Sequence, residues 1–86
     1  MPEISRFYGI VIKIYFKDHN PPHFHAEYQE YKAEYNISTL EVLVGGLPKR
    51  ANALVLEWAA EHRQELLENW NLASIPKKLN KIEPLK

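Results

Sequence analysis

The chain contains no cysteine. That excludes a disulfide scaffold and any thiolate metal site, and it suits a reducing compartment. No apolar run approaches the roughly 18 residues of a membrane span. An excess of one charge is also missing: 11 Lys and Arg stand against 11 Asp and Glu, for a formal net charge of zero. Non-specific nucleic-acid binding rests on a basic excess, so the balance argues against that class. The opening Met1-Pro2-Glu3-Ile4-Ser5-Arg6 lacks the basic-then-apolar order of a secretory leader. The expectation is a cytoplasmic protein, complete from Met1, that does not engage a membrane.

With 86 residues there is room for one domain. A chain of this length buries roughly 60–65% of its unfolded surface, enough for one modest core. The expected body spans about 1–72. The remainder, about 73–86, reads as an irregular tail with Lys77, Lys78, Lys81 and Lys86 against Glu83. Such a run is ordinarily a solvated surface.

What stands out is Asp18-His19-Asn20-Pro21-Pro22-His23-Phe24-His25-Ala26, which holds three of the four histidines. Imidazole titrates nearest neutral pH and is a common metal ligand. Pro21 and Pro22 push the residues before them out of the helical region and donate nothing to a ladder, so a stiff, extended corner is expected.

Hydrophobic alternation places the other elements. Phe7 to Phe16 reads as one strand, with Tyr8, Ile10, Ile12, Ile14 and Phe16 facing the core. His23 to Tyr28 and Tyr31 to Ile37 read as the next two strands, joined by a turn at Gln29-Glu30. That turn fixes the register: Tyr28 opposite Tyr31, Glu27 opposite Lys32, His25 opposite Glu34 and His23 opposite Asn36. Leu40 to Val44 reads as a short fourth strand, ended by Gly45-Gly46. From Pro48 to about Trp70, Leu54, Trp58, His62, Leu66 and Trp70 recur every four residues, as one long amphipathic helix would have them. The expected fold is α+β: an antiparallel sheet of three to four strands packed on one long helix. Ile82 and Leu85 are candidates to pin the tail to the body.

By strand parity His23, His25 and Glu27 lie on the sheet face that the helix leaves uncovered. Three chemistries suit them. His19, His23 and His25 can hold a divalent transition metal such as zinc, copper, nickel or iron(II), with Asp18 or Glu34 as an oxygen ligand. Acid–base cleavage of RNA is the second: His23 or His25 as base, with Glu34 fixing the His25 tautomer, Lys13, Lys17 or Lys32 near the phosphate, and Tyr15 stacking on a base. The third, and the one that asks least, is a partner-binding surface of His and Tyr beside a rigid Pro-Pro shape, with Asp18, His19, Lys32 and Tyr15 in contact. A bound cofactor is not required by any of these residues. His62, inside the apolar stripe of the helix, reads as a core histidine with one hydrogen-bonded nitrogen, apart from the other three. Trp58 and Trp70 read as core anchors.

Met1 to Ile10, Asp18 to Ala26 and Leu56-Glu57-Trp58-Ala59 resemble the short bacterial proteins known as domain of unknown function 4160. The resemblance spans essentially the whole chain. It carries no established activity to any residue. It implies a small protein encoded by a neighbouring gene as partner, in an arrangement like a toxin–antitoxin pair. A weaker likeness, on His23-Phe24-His25 alone, is to small ribonuclease toxins, which would make RNA a substrate. Homo-oligomerisation is compatible with both.

Overall fold

A computed structural model describes residues 3–86; Met1 and Pro2, counted in the body above, lie outside the described residues. Five strands form one antiparallel meander in chain order: β1 (Glu3–Phe7), β2 (Ile10–Lys13), β3 (His23–Tyr28), β4 (Tyr31–Asn36) and β5 (Val42–Gly45). Two helices follow, α1 (Lys49–Glu61) and α2 (Arg63–Ser74). The fold is α+β as expected, but with one more strand and one more helix than the sequence pattern suggested.

The extra strand comes from Gly9. The alternation from Phe7 to Phe16 reads as continuous, yet Tyr8 and Gly9 both adopt positive φ, 51° and 80°. Two such residues in a row make the tight turn that joins antiparallel strands. The chain therefore reverses there, and Phe7 pairs with Ile10. Ile10, Ile12 and Ile14 are fully buried as expected. Tyr8 at 60% and Phe16 at 48% exposure are not: one sits in the turn, the other beyond the end of β2.

The register of β3 with β4 is the one the sequence pattern dictates, including His25 opposite Glu34 and His23 opposite Asn36. The Gln29-Glu30 turn contains no glycine; Gln29 itself takes the positive φ of 54°. Asn36 closes the next connection, its Oδ1 accepting the Ser38 and Thr39 amides.

The long helix is broken at His62, whose φ of −119° and ψ of 23° interrupt the helical path. The reason lies in the spacing that suggested one helix. Residues four apart advance by about 40° beyond a full turn, so over four such steps a straight helix carries Trp70 roughly 160° away from Leu54. The break restores the face: Val55, Trp58 and Ala59 on α1 and Leu66, Asn69, Trp70 and Ala73 on α2 are all buried. Trp58 packs on Phe7 and Phe24, and Phe24 stacks on its cross-strand partner Tyr35 at 5.2 Å. Both tryptophans are core residues. His62 is largely covered, lies over the Trp58 ring, and bonds Glu65 through Nδ1.

The segment after α2 has no regular structure but is packed. Ile82 is buried and its amide donates to the Ile4 carbonyl at 2.8 Å, running along the outer edge of β1. The Trp58 indole donates to the Glu83 carbonyl, and the Asn69 amide side chain bonds both ways to the Asn80 backbone. The expected boundary near residue 72 falls inside α2. Among the described residues no helix is long and apolar enough to cross a membrane.

Candidate functional site

The corner between β2 and β3 builds the site. Lys17, at positive φ, donates its amide to the Ala73 carbonyl of α2 at 3.1 Å, and the Pro22 carbonyl accepts the Ile37 amide at 3.0 Å. The corner is thus tied at both ends, and the Asn20–Pro21 peptide is cis. This path folds Asp18 back over the start of β3.

There, His23 and His25 project from the same side of β3, two residues apart, as strand alternation requires. Both Nε2 atoms converge on one carboxylate oxygen: His23 Nε2 lies 3.0 Å and His25 Nε2 3.1 Å from Asp18 Oδ2. Glu34 Oε1 is 3.5 Å from His23 Nε2. Asp18 Oδ1 accepts the His19 amide at 2.9 Å and lies 3.0 Å from His19 Nδ1. Two overlapping sets of donors therefore share His23: Asp18, His23 and His25, and His19, His23 and Glu34.

Two expectations about this cluster are corrected. Glu34, though opposite His25 in register, approaches His23, and the carboxylate that holds His25 is Asp18. Register sets the backbone pairing; the returning corner then supplies a closer partner. Glu27 stands opposite Lys32 as expected, but its side chain bonds Lys13 of β2, which flanks β3 on the other side, with its two oxygens each 3.2 Å from Lys13 Nζ. Finally, His23 is not on an open face. It is 1% exposed, sealed by the corner and by the Trp70 ring at 5.1 Å. No sequence signal places Trp70 there; it follows from the break at His62 and the docking of α2 against the corner. His25 remains partly open, and Tyr15 packs edge-on against it at 4.5 Å.

The hydrogen bonding of His23 is unusual. Its Nδ1 lies 2.7 Å from the Pro21 carbonyl, which can only accept, so Nδ1 carries the proton and donates. A neutral ring has no second proton. Its Nε2 then presents a lone pair to the oxygens of Asp18 and Glu34, which offer only lone pairs themselves. The contact is favourable only with a cation at Nε2, either a proton or a metal ion. Burial alone would raise the Asp18 carboxyl. The bond from His25, the His19 amide and the charge of His23 outweigh that, and Asp18 is held below its ordinary value, as a carboxylate.

Beside the cluster is a cavity of about 330 Å³ lined by Tyr15, His25, Glu27, Lys32, Glu34 and Val44, among others. It brings the expected contact residues Tyr15 and Lys32 next to His25. His19 is 80% exposed at the outer rim. His62 belongs to neither set of donors.

A family model matches residues 9–71, described as a domain of unknown function, DUF4160. The chain belongs to the DUF4160 family. The match takes in β2 to β5, α1 and most of α2, and with them Asp18, His19, His23, His25 and Glu34. β1 and the tail that covers its edge lie outside it. No curated protein and no solved structure matches this DUF4160 chain.

Proposed function

We propose that this DUF4160 protein binds a divalent transition metal through Asp18, His23 and His25, with Glu34 at the margin of the site. The observation that carries this reading is the surroundings of His23, a buried ring whose Nε2 points at carboxylate oxygens while Nδ1 is already committed to a carbonyl. A metal-bound histidine ordinarily has this arrangement: one nitrogen on the ion, the other donating to a backbone carbonyl that fixes the tautomer.

The spacing agrees. Metal bonds near 2.0–2.1 Å set neighbouring donors about 2.9–3.4 Å apart in octahedral or tetrahedral geometry, and Asp18 Oδ2 stands 3.0 and 3.1 Å from the two imidazole nitrogens, with Glu34 just outside that range at 3.5 Å from His23. Two imidazoles with one carboxylate suit zinc, nickel, copper or iron(II) rather than magnesium or calcium, which prefer all-oxygen shells. Three protein ligands leave coordination positions for an outside ligand. The cavity bordered by His25 and Glu34 offers it space.

Acid–base cleavage of RNA by paired histidines is less well supported. A catalytic base must reach the proton it abstracts; His23 is sealed from solvent, which leaves His25 at the cavity without a second histidine to act as the acid.

The test is direct. Protein stripped with a chelator and titrated with Zn(II) or Ni(II) is expected to bind one ion per chain and to melt at higher temperature. Cobalt(II) should give the visible absorption of a nitrogen- and oxygen-ligated ion. Asp18→Asn and His25→Ala should abolish both responses. An unchanged melting temperature with every divalent ion tried, or equal shifts in the two variants, refutes the reading.

A further inference from the structure

The two edges of the sheet are treated differently. The outer edge of β1 is occupied by the tail, with the Ile82 amide on the Ile4 carbonyl and the Lys81 ammonium on the Glu3 carbonyl at 2.9 Å. β5 forms the other edge and nothing covers it among the described residues. All four of its residues are exposed, with Val42 at 44%, Leu43 at 41% and Val44 at 57%. Edge strands are normally protected by a charge, a proline or a covering segment, because their free N–H and C=O groups template pairing. From Val42 to Leu47 this edge has neither charge nor proline; the protection it does have is a bulge that leaves Leu43 unpaired between Val42 and Val44.

We propose that β5 pairs antiparallel with β5 of a second copy of the chain, joining the two sheets edge to edge about a twofold axis. Two features favour a second copy over a different protein. An uncharged strand meets itself without like charges in opposition, which is what an isologous contact requires. The formal net charge of zero leaves no long-range repulsion between copies. Asp18, His23 and His25 lie on the β2–β3 corner and on β3, with β4 between them and this edge, so this contact does not depend on metal binding.

The experiment is sedimentation equilibrium on the full chain over a wide concentration range, with Val42→Lys and Leu43→Lys beside the wild type. Both positions lie outside the cavity lining, and both are exposed, so the variants should fold with unchanged melting temperature at low concentration. The wild type is expected to dimerise, and each lysine to weaken self-association by roughly tenfold or more. Amide exchange gives an independent reading: protection of residues 42–45 should rise with protein concentration. A wild type that stays monomeric up to about 1 mM, a dimer indifferent to both lysines, or a β5 edge engaged only by the strand of a different protein overturns the proposal.

Discussion

His23 Nε2 and Asp18 Oδ2 stand 3.0 Å apart across a corner of two prolines, with the imidazole buried and the carboxylate partly exposed. The pair is the hinge of the site. Asp18 reaches outward to His19 and His25, and His23 reaches inward to Trp70 and the Pro21 carbonyl. Substitutions at the two positions should therefore have separable effects.

His23→Phe should keep the volume beside Trp70 and remove the buried polar ring. It is expected to fold, to change stability by less than about 1.5 kcal/mol, and to bind no zinc. His23→Ala should also bind no zinc but lose a further 2–3 kcal/mol or so, through the cavity left against Trp70. Urea unfolding with and without zinc measures both. In the wild type, zinc at a hundredfold excess over its Kd should add about 2.7 kcal/mol; in both variants it should add nothing.

Alkaline stability should report Tyr35. Its hydroxyl donates to Asn52 Oδ1 at 2.6 Å inside the core, and burial pushes the phenol up to about 12. In the unfolded chain a tyrosine titrates near 10. The folded state thus holds its proton to higher pH. The stabilisation is fully present below pH 10 and is lost as pH rises from about 10 to 12, with a slope set by the protons bound in each state. Across that window the loss is of order 2–3 kcal/mol. Tyr35→Phe should lose about 1–2 kcal/mol at pH 7 with the hydrogen bond. Its stability should also fall less steeply with alkali than that of the wild type, as denaturant midpoints at each pH would show.

Much of this was legible in the sequence, and what was not has local causes. The β3–β4 register followed from alternation and turn length, because a one-residue slip would have turned Phe24 and Tyr35 to solvent. The placing of His23 and His25 on one side of β3 followed from the same parity. The reversal at Tyr8-Gly9 was hidden because the apolar alternation continues through it, and a single glycine inside a strand pattern is a weak turn signal. The break at His62 was hidden because a spacing of four looks helical over any short window and fails only as the drift accumulates. The burial of His23 depends on that break and on the return of the corner to Ala73, two tertiary events that leave no local mark.

The tail should be part of the folding unit rather than an appendage. Asn69 is fully buried and exchanges two hydrogen bonds with the Asn80 backbone, 2.9 Å and 2.8 Å long. Asn69→Ala is expected to cost about 1–3 kcal/mol, and Ile82→Ala about 2–4 kcal/mol by cavity formation. Removal of residues 79–86 should cost at least as much, since it also strips the Trp58 indole of its acceptor. Proteolysis or amide exchange should find Ile82 protected in the intact chain. A tail that exchanges freely, with Ile82→Ala neutral, would show it to be an appendage.

The two adjacent glycines should behave in opposite ways. Gly45 has φ of 70°, and a Cβ placed on it would stand 2.2 Å from the Lys32 carbonyl oxygen, while one on Gly46 would meet nothing within 4 Å. The Gly46 amide donates to that same Lys32 carbonyl at 3.0 Å, so the close approach at Gly45 is what lets the chain leave β5 while still bonded to β4. In Gly45→Ala the methyl collides with backbone, which cannot swing aside as a flexible side chain would. The variant must either part β5 from β4 or bear backbone strain of roughly 1–3 kcal/mol. Gly46→Ala should stay within about 0.5 kcal/mol of wild type. Denaturant midpoints separate the two at once. Because β5 is the proposed seam between copies, Gly45→Ala should also reduce self-association while Gly46→Ala leaves it intact, and equal behaviour of the two variants would mean that β5 is not held against β4 as described.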